Sequence, residues 1–214
     1  MGKSVYVIAA AVTIAVALIA LFTVSVYENW NAAQLNGEIS QMALENQLLS
    51  EYEDFDANNS QVYCTVIDQG ITNLSGKISS FEKRLDNFKE SSFNSTEFYV
   101  AKRNYLITNM VLFRSFEKAK QYCDMNTKTV LFFYAEDSSC EVDCGVIGAQ
   151  LIELQNSCKS FRSFNFPYDW PTYEFTKILE VKYGVKKPGT LIIDGEKIES
   201  VLSFDLLSKK LGCS

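Results

Sequence analysis

Cys140 and Cys144 frame the segment Cys140-Glu141-Val142-Asp143-Cys144, two thiols separated by three residues. Two thiols this close in sequence can close into a disulfide and pass an electron pair by thiolate exchange. Their flanks suit that chemistry. Thr129-Val-Leu-Phe-Phe-Tyr-Ala135 is an apolar, β-forming run of strand length, and Val146, Ile147, Leu151, Ile152 and Leu154 then recur at helical spacing. The pair therefore lies between a buried strand and a helix N-terminus, where backbone N–H groups favour a thiolate. Glu136, Asp137, Glu141 and Asp143 act in the opposite sense, because negative neighbours oppose thiolate formation. With thiolates disfavoured, a stable and weakly oxidising disulfide is expected, suited to a reductant or isomerase-like exchanger. The inert reading is a staple over the helix start. The chain has six cysteines and no histidine. Ser–His and Cys–His nucleophilic centres, and zinc or copper sites that use histidine, are thereby excluded. Two thiolates alone can hold Cu(I), but no metal and no other cofactor is expected.

The elements that must position the pair follow in order. After the strand at 129–135 and the cysteine helix, Phe161-Arg-Ser-Phe-Asn-Phe166 alternates as a strand does. Pro171 stands near the start of a helix through Phe175, Ile178, Leu179 and Val181. Thr190-Leu-Ile-Ile-Asp194 and Lys197-Ile-Glu-Ser-Val-Leu202 flank Asp194-Gly195 and read as a hairpin. Ser203 can cap a last helix from Phe204 to Leu211. The order is βαβαββα. Phe166-Pro-Tyr-Asp-Trp-Pro-Thr-Tyr173 reads as a packed strand-to-helix connection or as a peptide-binding surface.

Tyr183-Gly-Val-Lys-Lys-Pro-Gly-Thr-Leu191, followed by Ile-Ile-Asp-Gly195, resembles the thioredoxin segment that reads Tyr-Gly-Ile, three residues, Pro-Thr-Leu. With the cysteine pair and the element order, residues 128–214 are similar to a thioredoxin-like domain. The whole chain resembles single-pass, externally facing thioredoxin-like proteins of prokaryotic or archaeal type. The resemblance implies an α/β thioredoxin-like (βαβαββα) C-terminal domain with Cys140 as attacking and Cys144 as resolving thiol, roles the lengthened loop could exchange. It places a substrate-binding loop at Pro188, Gly189 and Thr190. Two departures stand at this site. The pair is C-x-x-x-C rather than C-x-x-C, and the family's cis-proline position falls on Gly189, with Pro188 one residue early. A cis bond before a non-proline residue costs about 2.5–4 kcal/mol. Either the cis bond lies at Lys187–Pro188 or the loop is trans. In such a fold Cys158, closing the cysteine helix, and Cys213, after the last helix, meet at the pole away from the site and bridge. Cys123–Cys213 with Cys64–Cys158 is the open alternative.

Residues 5–26 carry no charge, and at about 1.5 Å per residue they reach about 33 Å, one bilayer crossing. An uncleaved anchor over 1–27 is expected; a cleaved signal peptide is the rival, with Thr23-Val-Ser-Val-Tyr27 a poor cleavage site. Lys3 precedes this stretch, and the next basic residue is Lys77. The positive-inside rule then gives a single-pass cell-membrane protein with a cytoplasmic N-terminus and an extracytoplasmic remainder. The even cysteine count and the sequons at Asn58, Asn73 and Asn94 fit that address. With 26 acidic against 20 basic residues, net −6, nucleic acid is not an expected partner. The expected partners are the membrane, through the N-terminal helix, and external proteins.

A helical segment, 28–124, is expected between anchor and domain (125–214). Leu35, Ile39, Met42 and Leu49, interrupted by Asn46, make a weak amphipathic stripe, and residues 54–60 look like a break. Ile67, Ile71, Leu74, Ile78, Phe81, Leu85 and Phe88 form a narrow seam for one partner helix, from a second chain or from this one. A turn at 91–97 leads to a third helix, apolar at Phe98, Tyr105, Leu106, Leu112, Phe113 and Phe116. Folding back near residue 92 brings Cys64 and Cys123 to nearly the same height, so a Cys64–Cys123 disulfide is expected, against two unpaired buried thiols. The leading function is membrane-anchored, extracytoplasmic thiol–disulfide exchange through Cys140 and Cys144. The alternative is a redox-inactive thioredoxin-fold binding or scaffold module of the cell surface.

Overall fold

The computed structural model describes residues 12–20, 22, 23, 26, 34, 37–45, 47, 48, 50, 51, 60–92, 96–135, 137–168 and 174–213. Two long helices, α1 (Ser60–Ser92) and α2 (Thr96–Tyr122), precede four strands, β1 (Lys128–Tyr134), β2 (Phe161–Pro167), β3 (Thr190–Ile193) and β4 (Glu196–Ile198). Helices α3 (Glu141–Ser157), α4 (Glu174–Tyr183) and α5 (Phe204–Leu211) stand between and after them. The strand order is β2-β1-β3-β4, with β1 parallel to β2 and antiparallel to β3.

β1 lies inside the sheet, and its unbroken apolar run reflects burial on both faces. Period-two alternation divides the side chains. Leu131 and Phe133, with Phe164, Phe166 and Ile192, join the hairpin α1–α2, while Val130 and Phe132, with Leu191 and Ile193, join Ile147, Leu151, Leu154, Leu207 and Leu211 from α3 and α5. The first face is closed by aromatic packing: the Phe113 and Phe116 rings lie 5.4 and 6.1 Å from that of Phe164.

The seam of α1 is filled from within the chain. Ile67, Ile71, Leu74, Ile78, Phe81 and Leu85 are buried in one cluster with Phe98, Tyr105, Leu106 and Phe116 of α2. The Phe88 side chain, and Leu35, Asn46 and Leu49, lie outside the described residues, as do most of the expected break and turn and the segment 169–173 with Pro171. Met42 also enters this cluster, and Glu45 and Glu38 pair with Lys77 and Arg84 of α1.

Two turns close the sheet side. Asp194 and Gly195 both take positive φ, 47° and 87°, the conformation that a two-residue hairpin loop needs. Ser203 caps α5 by accepting from Leu206 N–H at 3.4 Å, and Gly212 ends it at φ 76°.

Two expectations are corrected here. The class expected for the chain, an α/β thioredoxin-like domain behind a hairpin and a transmembrane helix, gives way to a predominantly helical chain around a four-stranded mixed sheet. The broad apolar face of α2 is the reason, because it buries against the sheet instead of standing apart from it. The anchor over 5–26, and the single-pass membrane placement built on it, is corrected as well. Among the described residues no helix is long and apolar enough to cross a membrane. Within that stretch the continuous described helix is 12–20, about 13 Å against a hydrocarbon core of about 30 Å. Residues 5–11, 21, 24 and 25 lie outside the described residues.

Cys64 and Cys123 are bonded across the open end of the hairpin, closing a loop with a separation of 59 residues. Removing both thiols by Cys64→Ser/Cys123→Ser is expected to cost about 4 kcal/mol by the loop-entropy relation, read from urea unfolding. A loss under about 1 kcal/mol would show that hairpin packing suffices without the bond.

Asp194 gives a pH signature. Burial raises its pKa, but hydrogen bonds from Lys120 Nζ (2.7 Å) and the Thr129 N–H (2.9 Å), with the Lys120 charge, outweigh it and hold the carboxyl below its usual value of 3.8. A depressed folded pKa stabilises fully above the unfolded value, and the stabilisation is lost as pH falls through the folded one. Urea midpoints should therefore fall on acidification below about pH 4, and Asp194→Asn should flatten that acid limb. An unchanged acid limb in the variant would remove Asp194 from the account.

Candidate functional site

The chain leaves β1 at Tyr134 and enters a short 3₁₀ turn, Ser138–Cys140. Asp137 caps the turn by accepting from Ser139 N–H at 2.9 Å. Hydrogen bonds from Ser139 hold the Asp137 carboxyl below its usual pKa range. Cys140 is the N-cap of α3, with a non-helical backbone (φ −135°, ψ 17°). Cys144 follows one turn later, and residues four apart share a helix face. The two sulfurs are bonded, with S–S 2.03 Å and Cα–Cα 5.2 Å. The three-residue gap is thus the spacing of a helical turn that closes on itself.

The two sulfurs differ in their surroundings. Cys140 is buried, 7% exposed, and Cys144 is half-buried. Gly189 lies over Cys140: a Cβ on it would stand 3.1 Å from Cys140 Sγ. Gly189 takes φ 76° and donates its N–H to Phe133 O at 2.8 Å, which fixes the loop to the end of β1. Thr190, fully buried, donates its hydroxyl to Lys187 O at 2.8 Å. Pro188, half-buried, precedes this turn, and no described peptide bond is cis, so the Lys187–Pro188 bond is trans. The loop reaches the disulfide through the positive φ of a glycine. Pro188, Gly189 and Thr190 are therefore brought to the cysteine pair, with the glycine making the closest approach.

Cys144 faces a different neighbourhood. A cavity of about 510 Å³ lies between the hairpin and the start of α3, with Lys102, Tyr105, Phe132, Tyr134, Cys144 and Gly145 in its wall. Lys102 is 5% exposed, and its ammonium lies 5.7 Å from the ring centroids of both Phe98 and Tyr134. Tyr105 donates its hydroxyl to Glu82 Oε1 at 3.0 Å on the same wall. Of the acidic neighbours, Glu141 and Asp143 are exposed in the first turn of α3, where water and salt weaken their action on the sulfurs. Glu136 lies outside the described residues.

Lys102 and Tyr105 escape a reading that follows the chain outward from the cysteines. A signal was present: Phe98, Lys102, Tyr105 and Asn109 recur four, three and four residues apart, which puts a lysine on the apolar face of α2.

The other four cysteines are placed away from this pair. Besides Cys64–Cys123, Cys158 and Cys213 are bonded, joining the ends of α3 and α5, with Ser160 Oγ 2.8 and 3.4 Å from the two sulfurs. Among the described residues no three His, Cys, Asp or Glu side chains gather as metal ligands.

The approach of Gly189 to Cys140 sets a prediction. Gly189→Ala puts a side chain in the left-handed region against Sγ and is expected to cost about 1–2 kcal/mol in urea unfolding. Pro188→Ala acts mainly on the unfolded chain and should cost about 0.4–1 kcal/mol. A Gly189→Ala protein as stable as the parent would mean that the loop is not held against the sulfur.

No protein-family model matches the chain, no curated protein is significantly similar to it, and no solved structure matches it.

Proposed function

We propose that the Cys140–Cys144 pair undergoes thiol–disulfide exchange, and that its reaction partners are molecules bearing thiols or disulfides. One observation carries the reading: of the three disulfides, this one spans a separation of four residues at a helix start, with Cys144 in the wall of a cavity. The other two span 59 and 55 residues and join distant elements. By loop entropy a four-residue bridge stabilises a fold by about 2 kcal/mol, against about 4 kcal/mol for the long ones. The short bridge contributes least to holding the chain together, which favours a role in exchange. The likeness of Cys140–Cys144 and Pro188-Gly189-Thr190 to thioredoxin-like sequences supports the same reading.

A second reading rests on Cys140. Its burial beneath Gly189, in a loop with a trans Lys187–Pro188 bond, suits a staple in a redox-inactive binding or scaffold module.

The reduction potential separates the two. The full chain is equilibrated in graded thiol buffers and trapped with a mass-tagging maleimide, with Cys140→Ser as control. Exchange requires a midpoint between about −120 and −270 mV, with only this pair titrating. A pair still oxidised below about −300 mV makes the bridge structural.

A further inference from the structure

We infer that Cys144, rather than Cys140, is the sulfur that exchanges, and that its co-substrate is a low-molecular-weight thiol entering the cavity between the hairpin and α3. This rests on the exchange reading and names its reacting atom and its substrate class.

Attack on a disulfide needs a clear approach to one sulfur along the S–S axis. Cys140 does not offer it: the residue is buried, and Gly189 covers its sulfur. Cys144 lines a cavity whose volume, about 510 Å³, falls among sites that take small molecules.

Larger donors fit less well. Residues of both hairpin helices, Leu85 and Glu82 on one and Lys102 and Tyr105 on the other, flank the cavity, so a folded protein's cysteine must clear them. An extended peptide would add to the outer edge of β2, which runs beside the cavity. That edge is already engaged, since Asn109 Nδ2 donates to Asn165 O at 3.0 Å.

The reaction balances with two thiols. The first, as thiolate, attacks Cys144 Sγ; the S–S bond breaks and Cys140 leaves as a thiolate at the N-terminus of α3. The second attacks the small-molecule sulfur of the mixed disulfide and releases Cys144. Two thiols lose two electrons and two protons, the pair gains both, and the small disulfide departs.

The test uses the full chain. With Cys140→Ser and Cys144→Ser as single-thiol forms of the pair, cystine should form its adduct at least tenfold faster on Cys144 than on Cys140. Gly145, exposed at the cavity rim, has nothing within 4 Å of a Cβ position, and the same holds for Gly76, exposed on α1 and outside the cavity wall. Gly145→Leu should slow reduction of the parent pair by cysteine tenfold or more, and Gly76→Leu should not. Faster adduct formation on Cys140, or an unaffected Gly145→Leu, overturns the assignment. A ten-residue peptide with one cysteine that outruns free cysteine overturns the substrate class in favour of a peptide groove. If Gly145→Leu fails to fold, the single-thiol comparison still decides the reacting sulfur. A pair that titrates in the equilibrium experiment but reacts through Cys140 leaves the exchange reading intact and refutes only this inference.

Discussion

Burial of β1 on both faces is the constraint on which the rest depends. A strand carrying Val130, Leu131, Phe132 and Phe133 in succession cannot leave either face to water, because each such side chain gains about 1.5–3 kcal/mol on burial. Helices α3 and α5 cover one face; the other is met by the hairpin, through Phe113 and Phe116 on Phe164. Everything near the disulfide is measured from this strand. Its C-terminal end leads into Cys140, its Phe133 carbonyl holds Gly189, and its Phe132 and Tyr134 line the cavity beside Cys144.

Local structure after residue 128 is legible in the sequence because each signal is short-ranged. The alternation at 161–166, the Asp194-Gly195 turn and the Ser203 cap are each decided by neighbours in the chain. The class of the whole chain is not legible in that way. Whether α2 stands apart or lies on the sheet depends on a surface match between residues 113 and 164, which no local pattern encodes. The N-terminal stretch misleads for a related reason. Freedom from charge over residues 5–26 shows what a membrane would accept, yet among the described residues no helix is long and apolar enough to cross one.

The candidate site divides the same way. Cys140 and Cys144 are visible because cysteines in a strand-to-helix junction are rare enough to notice, and the 183–191 segment because it carries a glycine-proline pattern. Lys102 and Tyr105 are invisible from there. They approach only because the hairpin folds back and docks, some forty residues earlier in the chain than the sulfur they face. The helix rise is the one long ruler that sequence supplies, and it speaks to heights along α1 and α2, not to which face meets the sheet.

The extra residue between the cysteines has a geometric consequence that links these observations. Each residue turns an α-helix by about 100°, so lengthening C-x-x-C to C-x-x-x-C rotates the second side chain by that amount about the axis. One added residue is therefore enough to change which surface the second sulfur meets without moving the helix. In this chain Gly189, at a positive φ, lies against Cys140 Sγ, and Cys144 lines the cavity under the hairpin. The three-residue spacing and the positive-φ glycine at 189 therefore bear on the same disulfide. Cys140 lies under Gly189, and Cys144 lines a cavity whose wall includes Lys102 and Tyr105 of the hairpin.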